Sequence, residues 1–192
     1  IGGSGSGLAW RPDVIHCNDW PTGLAPAYLT TMPAPRAVSI MAVHNLSHQG
    51  VFDAGTRTEL GIPASMFAMN GLEYYGRLSF MKGGLYYANR LVTVSPTYAR
   101  EIQTDAGGQG LGGLLRGRAR ALVGILNGID TRTWDPARDP RIAHPYDFAS
   151  VMRKSVNKLA LQRKLGLELG EERMLLGVVS RFAHQKGIDW LL

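Results

Sequence analysis

Cysteine is almost missing. Cys17 is the single one in 192 residues, so no internal disulfide can form, and the chain reads as one suited to a reducing compartment, the cytoplasm. No apolar run approaches the ~20 residues a helix needs to span a bilayer, so no membrane is expected as partner. The first residues lack the basic start and apolar block of a secretory signal. No Gly-x-Gly-x-x-Gly follows a strand pattern, and no Walker-type glycine run ends in Lys-Ser/Thr, which argues against a nicotinamide cofactor and a P-loop. No His/Cys/Asp/Glu set has metal-ligand spacing. The expectation is an enzyme or binding protein without metal or cofactor.

What is present is an ordinary globular composition. Hydrophobic residues make up 45% and charged residues 19%, enough apolar material for a real core. Formal net charge is +6, with the basic residues scattered except at Arg116, Arg118 and Arg120. Charge alone allows nucleic acid, but no aromatic residues interleave with the basic ones. A polyanionic small molecule accounts for the balance equally well.

The pattern along the chain is strand, polar turn, helix, repeated. Asp13–Asn18, Val38–Val43, Arg90–Val94 and Ala121–Leu126 read as strands, short and rich in β-branched residues. Thr22 is expected to cap a helix over Leu24–Leu29, and Ser95 with Pro96 to open one through Ile102. Glu73–Asn89 has aromatic and apolar residues at helical spacing and is expected to be one buried helix. The glycines of 107–113 suggest a mobile surface loop. A helix over Val151–Leu165 should end at Gly166. Met174–Ser180 has the look of a buried parallel strand, with a helix opening at Gly187. The rhythm predicts a Rossmann-like, doubly wound parallel α/β sheet, with a second sheet starting near Met174. Residues 1–9 are a flexible lead-in, 10–150 a first domain, 151–172 an interdomain helix or linker, and 173–192 the start of a second domain. The Gly/Ser-rich start and a helical pattern that stops at Leu192 suggest an internal piece of a longer protein.

The strands end in polar tips: Asp19, His44-Asn45 and Asn127, with Arg181, Gln185 and Lys186 after the last apolar run. In open parallel sheets such tips face a shared crevice where ligands bind. Singly, each has a bland explanation as a cap, a turn or a solvated charge. Together they supply a carboxylate, amides and an imidazole for hydroxyls, and two cations for a diphosphate. That set suits a sugar nucleotide better than a dinucleotide.

His44-Asn45-Leu46…Gln49-Gly50, Asn70-Gly71-Leu72-Glu73-Tyr74-Tyr75-Gly76, Thr93-Val94-Ser95-Pro96-Thr97-Tyr98-Ala99, Gly124-Ile125-Leu126-Asn127-Gly128-Ile129-Asp130…Trp134-Asp135-Pro136 and Val179-Ser180-Arg181…Gln185-Lys186-Gly187 resemble bacterial glycogen synthase and plant starch synthase. The resemblance runs from about Trp10 to Leu192. It implies most of the N-terminal domain, and the beginning of the C-terminal one, of a two-domain GT-B glycosyltransferase. It implies glucose transfer from ADP-glucose to the non-reducing end of an α-1,4-glucan such as glycogen, with retention and without metal. Carried over, Arg181 and Lys186 would neutralise the leaving diphosphate and His44 would lie against the transferred glucose. Asp19, Trp20, Asn45, Asn127 and Gln185 would line the substrate pocket. Where the family usually has His-Asp-Trp-His, this chain has Asn18-Asp19-Trp20-Pro21. The family's Lys-Thr-Gly-Gly-Leu loop and its acidic C-terminal motif are not in this sequence, so these 192 residues are expected to be inactive alone. The competing expectations are a UDP-glucose-dependent enzyme of the same architecture and a non-catalytic glucan-binding protein.

Overall fold

A computed structural model describes residues 10–190. Strands β1 (Val14–Asn18), β2 (Val38–Val43), β6 (Arg90–Thr93) and β7 (Leu122–Gly124) form a sheet in the order β1-β2-β6-β7, every neighbouring pair parallel. The expected α/β class with a parallel sheet is therefore present. In register, Cys17 stands beside Met41, Met41 beside Leu91 and Leu91 beside Leu122. In-register side chains of a parallel sheet share a face, so this row makes one apolar surface. Met81 and Leu85 of α3 (Phe80–Tyr87), Ile102 after α4 (Pro96–Glu101), and Leu111 and Leu115 at α5 (Gly112–Gly117) cover it.

A second apolar cluster joins Leu24 and Ala27, at α1 (Ala25–Thr31), to Ile62, which follows α2 (Thr56–Glu59), and to Leu72 and Leu78. Close approach of backbones makes this junction. A Cβ at Gly23 would lie 2.2 Å from the Phe80 carbonyl oxygen, and one at Gly84 would lie 3.2 Å from Gly23 Cα. Arg118 donates to the carbonyls of Leu85, Tyr86 and Ala88, satisfying the exposed end of α3, and Arg116 pairs with Asp105 at 2.9 Å. Two of the three clustered arginines thus serve the fold.

Several local expectations need correction. Glu73–Asn89 is not one helix. β4 (Glu73–Tyr74) and β5 (Arg77–Ser79) form a hairpin, with β3 (Val51–Phe52) on the other side of β5, and only then does α3 begin. The turn residues Tyr75 and Gly76 have φ of 48° and 77°, the geometry of a two-residue hairpin that a helix cannot hold. Ser79 caps α3, accepting the Lys82 N–H. Thr22 caps nothing at α1: its hydroxyl donates to the carbonyls of Asn18 and Asp19. The glycines of 107–113 are not a loose loop, because Gly108 and Gly112 pack so closely on the Thr104 carbonyl that a Cβ on either would lie 2.5 Å from its oxygen. Ser95 does cap α4, accepting from Tyr98 N at 2.9 Å.

By its contacts the chain divides after Asn127. In the second unit, α6 (Lys154–Lys164) ends at Gly166 with φ 68°, where Leu167 N reaches the Gln162 carbonyl at 2.9 Å. His144 and Asn157 exchange two hydrogen bonds of 2.8 Å, tying the Pro-rich segment to α6. Met174–Ser180, expected as a buried strand, pairs with no other strand among the described residues, and Val179 is fully exposed. A strand exists only through a ladder partner, and the described part of this unit holds no other strand. After Gly187 there is a single 3-10 turn, Ile188–Trp190, and the rest of the expected helix lies outside the described residues.

Candidate active site

The sharpest feature sits where β1 and β2 end side by side. Asp19 follows β1 with φ 54° and ψ −173°, a region that normally only glycine occupies. Such a conformation costs on the order of 1–3 kcal/mol and persists only if its surroundings enforce it. Here they do. Asp19 N donates to the Ala42 carbonyl at 2.9 Å, Asp19 Oδ1 accepts from His44 N at 2.8 Å, and Asp19 Oδ2 lies 2.9 Å from His44 Nδ1. A carboxylate only accepts, so Nδ1 carries the hydrogen, and in the neutral ring Nε2 presents its lone pair. The imidazole is half exposed. The pair is therefore an oriented, solvent-facing acceptor at the carboxyl edge of a parallel sheet, the usual ligand side.

The turn after β2 is held from several directions. Asn45 Oδ1 accepts from Ser47 N at 3.0 Å, and Leu46 N donates to the Tyr98 hydroxyl at 3.0 Å. Tyr98 thus anchors the loop that carries His44 and Asn45, a role that its place in a motif did not reveal. Trp20 is half-buried, with ring centroids 5.9 Å from Phe52 and 6.3 Å from Phe80. Gly50, at φ 56°, leaves room for that ring; a Cβ there would lie 2.3 Å from Trp20 Cε3.

Next to Trp20 is an open pocket of about 540 Å³ lined by residues that include His48, Gln49, Phe52, Tyr74 and Gln109. Gln49 is 92% buried by its 8% exposure, and its Oε1 is the one buried side-chain polar atom without a hydrogen-bond partner among the described residues. An orphaned acceptor of this kind costs about 1–3 kcal/mol. Sequence reasoning passed over Gln49, and only its position in the His-Asn-Leu…Gln-Gly stretch signalled it.

Of the expected site residues, the structure brings Asp19, Trp20, His44 and Asn45 together. Asn127 is exposed just past β7, on the far side of β6 from β2. Arg181, Gln185 and Lys186 belong to the second unit, where Gln185 and Lys186 lie in the 3-10 turn His184–Lys186 and His184 Nδ1 is 3.2 Å from Asp189 Oδ2. Among the described residues no group of three or more His, Cys, Asp or Glu could hold a metal ion, and no helix is long and apolar enough to cross a membrane.

Residues 4–117 match the profile of the starch synthase catalytic domain. The chain belongs to the starch synthase catalytic domain family. Within it, the chain is 52% identical over 187 residues to the glycogen synthase of Nitrosomonas europaea, covering 97% of this chain and 38% of that protein. It is 50% identical over 192 residues to the glycogen synthase of Aromatoleum aromaticum, covering 100% and 39%. Among solved structures it is similar to the catalytic domain of starch synthase IV from Arabidopsis thaliana bound to ADP and acarbose, with a TM-score of 0.77 and 34% identity over 94% of this chain and 38% of that one. This chain of the starch synthase family thus spans about two-fifths of the length of such relatives. The structural match places its parallel sheet in the N-terminal part of a GT-B glycosyltransferase.

Proposed function

We propose that this chain is the acceptor-side part of a glycogen or starch synthase, an ADP-glucose:α-1,4-glucan glucosyltransferase that retains configuration. The observation that carries the reading is the Asp19–His44 pair at adjacent strand ends, in a family with a member bound to ADP and acarbose. Breaking the donor's glycosidic bond builds oxocarbenium-like positive charge on the sugar and negative charge on the departing diphosphate. His44 Nε2, with its tautomer held by Asp19, meets the sugar. Trp20, Asn45 and Asn127 shape the glucosyl pocket. Arg181 and Lys186 neutralise the diphosphate, with Gln185 beside them; a preorganised donor of that kind is worth ~3 kcal/mol at the transition state. The reaction uses no metal or organic cofactor, takes place in the cytoplasm, and involves neither nucleic acid nor membrane. The 192 residues alone do not carry it out.

The test grafts residues 10–190 into the Nitrosomonas europaea glycogen synthase in place of its aligned segment. The graft is expected to elongate glycogen with ADP-glucose. His44→Ala should then lower kcat by about a hundredfold or more, and Arg181→Ala or Lys186→Ala should lower kcat more than they raise KM for glycogen. Preference for UDP-glucose would move the assignment to the related donor class. Glycogen binding without ADP release would make it a glucan-binding protein.

A further inference from the structure

We propose that Tyr98 is a positioning residue for His44: its hydroxyl pins the turn after β2 and so sets where His44 Nε2 points. The inference starts from the backbone on either side of the imidazole. Up to His44 the chain is tied at successive residues. Asp19 N donates to the Ala42 carbonyl at 2.9 Å, the Thr93 hydroxyl donates to the Val43 carbonyl at 2.7 Å, and His44 N donates to Asp19 Oδ1 at 2.8 Å. β2 ends at Val43, and beyond His44 the tie comes from a helix instead: Leu46 N donates to the Tyr98 hydroxyl at 3.0 Å, across 52 residues of sequence. Two further bonds, from Ser47 N to Asn45 Oδ1 and from His48 N to the Asn45 carbonyl, lie within the turn. They hold its shape rather than its place.

Tyr98 is itself well held. Its N–H donates to the Ser95 hydroxyl at 2.9 Å, its carbonyl accepts from Ile102 N at 3.0 Å, and its ring packs against the main apolar cluster. Leu46 belongs to that same cluster and is fully buried. Its N–H therefore lies away from water and needs an internal acceptor, which the phenol oxygen supplies. One hydrogen bond thus joins the start of α4 to the turn that carries the imidazole. The consequence for His44 follows from its exposure. The ring is half exposed, so side-chain packing leaves its direction to the backbone and to Asp19. A misplacement of about 1 Å in a reacting group can lower a rate by about a hundredfold. Tyr98 acts two residues away, through the turn, so its loss should cost less.

The proposal rests on the glucosyltransferase reading for its rate effect, which the grafted synthase measures. Tyr98→Phe keeps the ring and removes the acceptor. It is expected to lower kcat about tenfold and to leave KM for ADP-glucose within about twofold. In a His44→Ala background the same substitution should change kcat by less than about twofold, because the group it positions is gone. Tyr28→Phe is the control: it removes another half-buried hydroxyl, one that donates to the Leu60 carbonyl at 2.8 Å, and should leave kcat within about twofold. An undiminished kcat in Tyr98→Phe would overturn the proposal. So would an equal loss in the His44→Ala background or for Tyr28→Phe, either of which makes the effect one of general stability. An inactive unaltered graft counts against the glucosyltransferase reading alone, and the 15N spectrum of the His44 ring in the 192-residue chain then decides. The unaltered chain should show one tautomer, with the hydrogen on Nδ1, and Tyr98→Phe a mixture of two. A single tautomer in both chains refutes the positioning role. Should Tyr98→Phe fail to fold, hydrogen exchange at the Leu46 amide of the unaltered chain is the measurement, expected at least about a hundredfold slower than for an open amide. Free exchange there sinks the proposal.

Discussion

Asp19 holds a conformation that its own backbone disfavours, and its side chain is what keeps it there. That coupling separates activity from stability in one substitution. Asn tolerates positive φ better than most residues and can still accept from His44 N. Its amide, however, donates to Nδ1 and forces the hydrogen onto Nε2. Asp19→Asn should therefore cost less than about 1 kcal/mol in unfolding free energy yet lower kcat of the grafted enzyme by about a hundredfold, measured by chemical denaturation and ADP release. Asp19→Ala should lose activity and about 1–3 kcal/mol of stability as well. Cys17 shows the opposite situation, a reactive group kept idle. It is buried on the helix-covered face of the sheet, and burial pushes its thiol above the ordinary value. The thiolate is the nucleophile, so labelling by a disulfide reagent in native buffer should run at least about tenfold slower than in guanidinium. Because the folded thiol holds its proton to higher pH than the unfolded one, its contribution to stability is present below the unfolded pKa and falls as pH rises above it.

At the scale of elements, the hairpin before α3 and the contact between α1 and α3 depend on glycine for different reasons. Gly76 has φ 77° and nothing within 4 Å of a Cβ, so Gly76→Ala carries only a dihedral penalty, about 1 kcal/mol. Gly23 has an ordinary φ of −63°, but backbone blocks its Cβ at 2.2 Å. Gly23→Ala must push two elements apart and should cost about 3 kcal/mol. Thermal denaturation of both variants checks the order; a larger loss for Gly76→Ala would show that α1 and α3 are not packed as described. Lys82 links these elements too. Its ammonium donates to the Glu73 carbonyl from a buried position, and burial lowers its pKa.

Over the whole molecule, burial is uneven. Among the described residues, every buried apolar residue of the core precedes residue 116, whereas Gln162 is the buried residue of note in the second unit. Hydrophobic burial is the main favourable term in folding. Hydrogen exchange should therefore find slow amides in β1, β2, β6 and α3 and exchange at least about a hundredfold faster across 128–190. Equal protection in both units would contradict this distribution. The same asymmetry explains Met174–Ser180. Its apolar pattern is real, but a pattern specifies a strand only where a neighbouring strand can complete its ladder.

Local chemistry alone determined a good deal. β-branched runs located the four parallel strands, Ser95-Pro96 located the start of α4, Gly166 located the end of α6, and polar residues at strand ends pointed to Asp19, His44 and Asn45. Periodicity misled at Glu73–Asn89, because Tyr75-Gly76 needed to be read as a hairpin turn, and glycine count misled at 107–113, where the missing Cβ atoms permit packing rather than motion. Only the tertiary structure decided that Asp19 orients His44, that Tyr98 holds the following turn, and that Gln49 keeps an unanswered acceptor beside Trp20. Those facts depend on partners 25 to 60 residues apart in the chain, and no local pattern encodes which distant atom will complete a hydrogen bond.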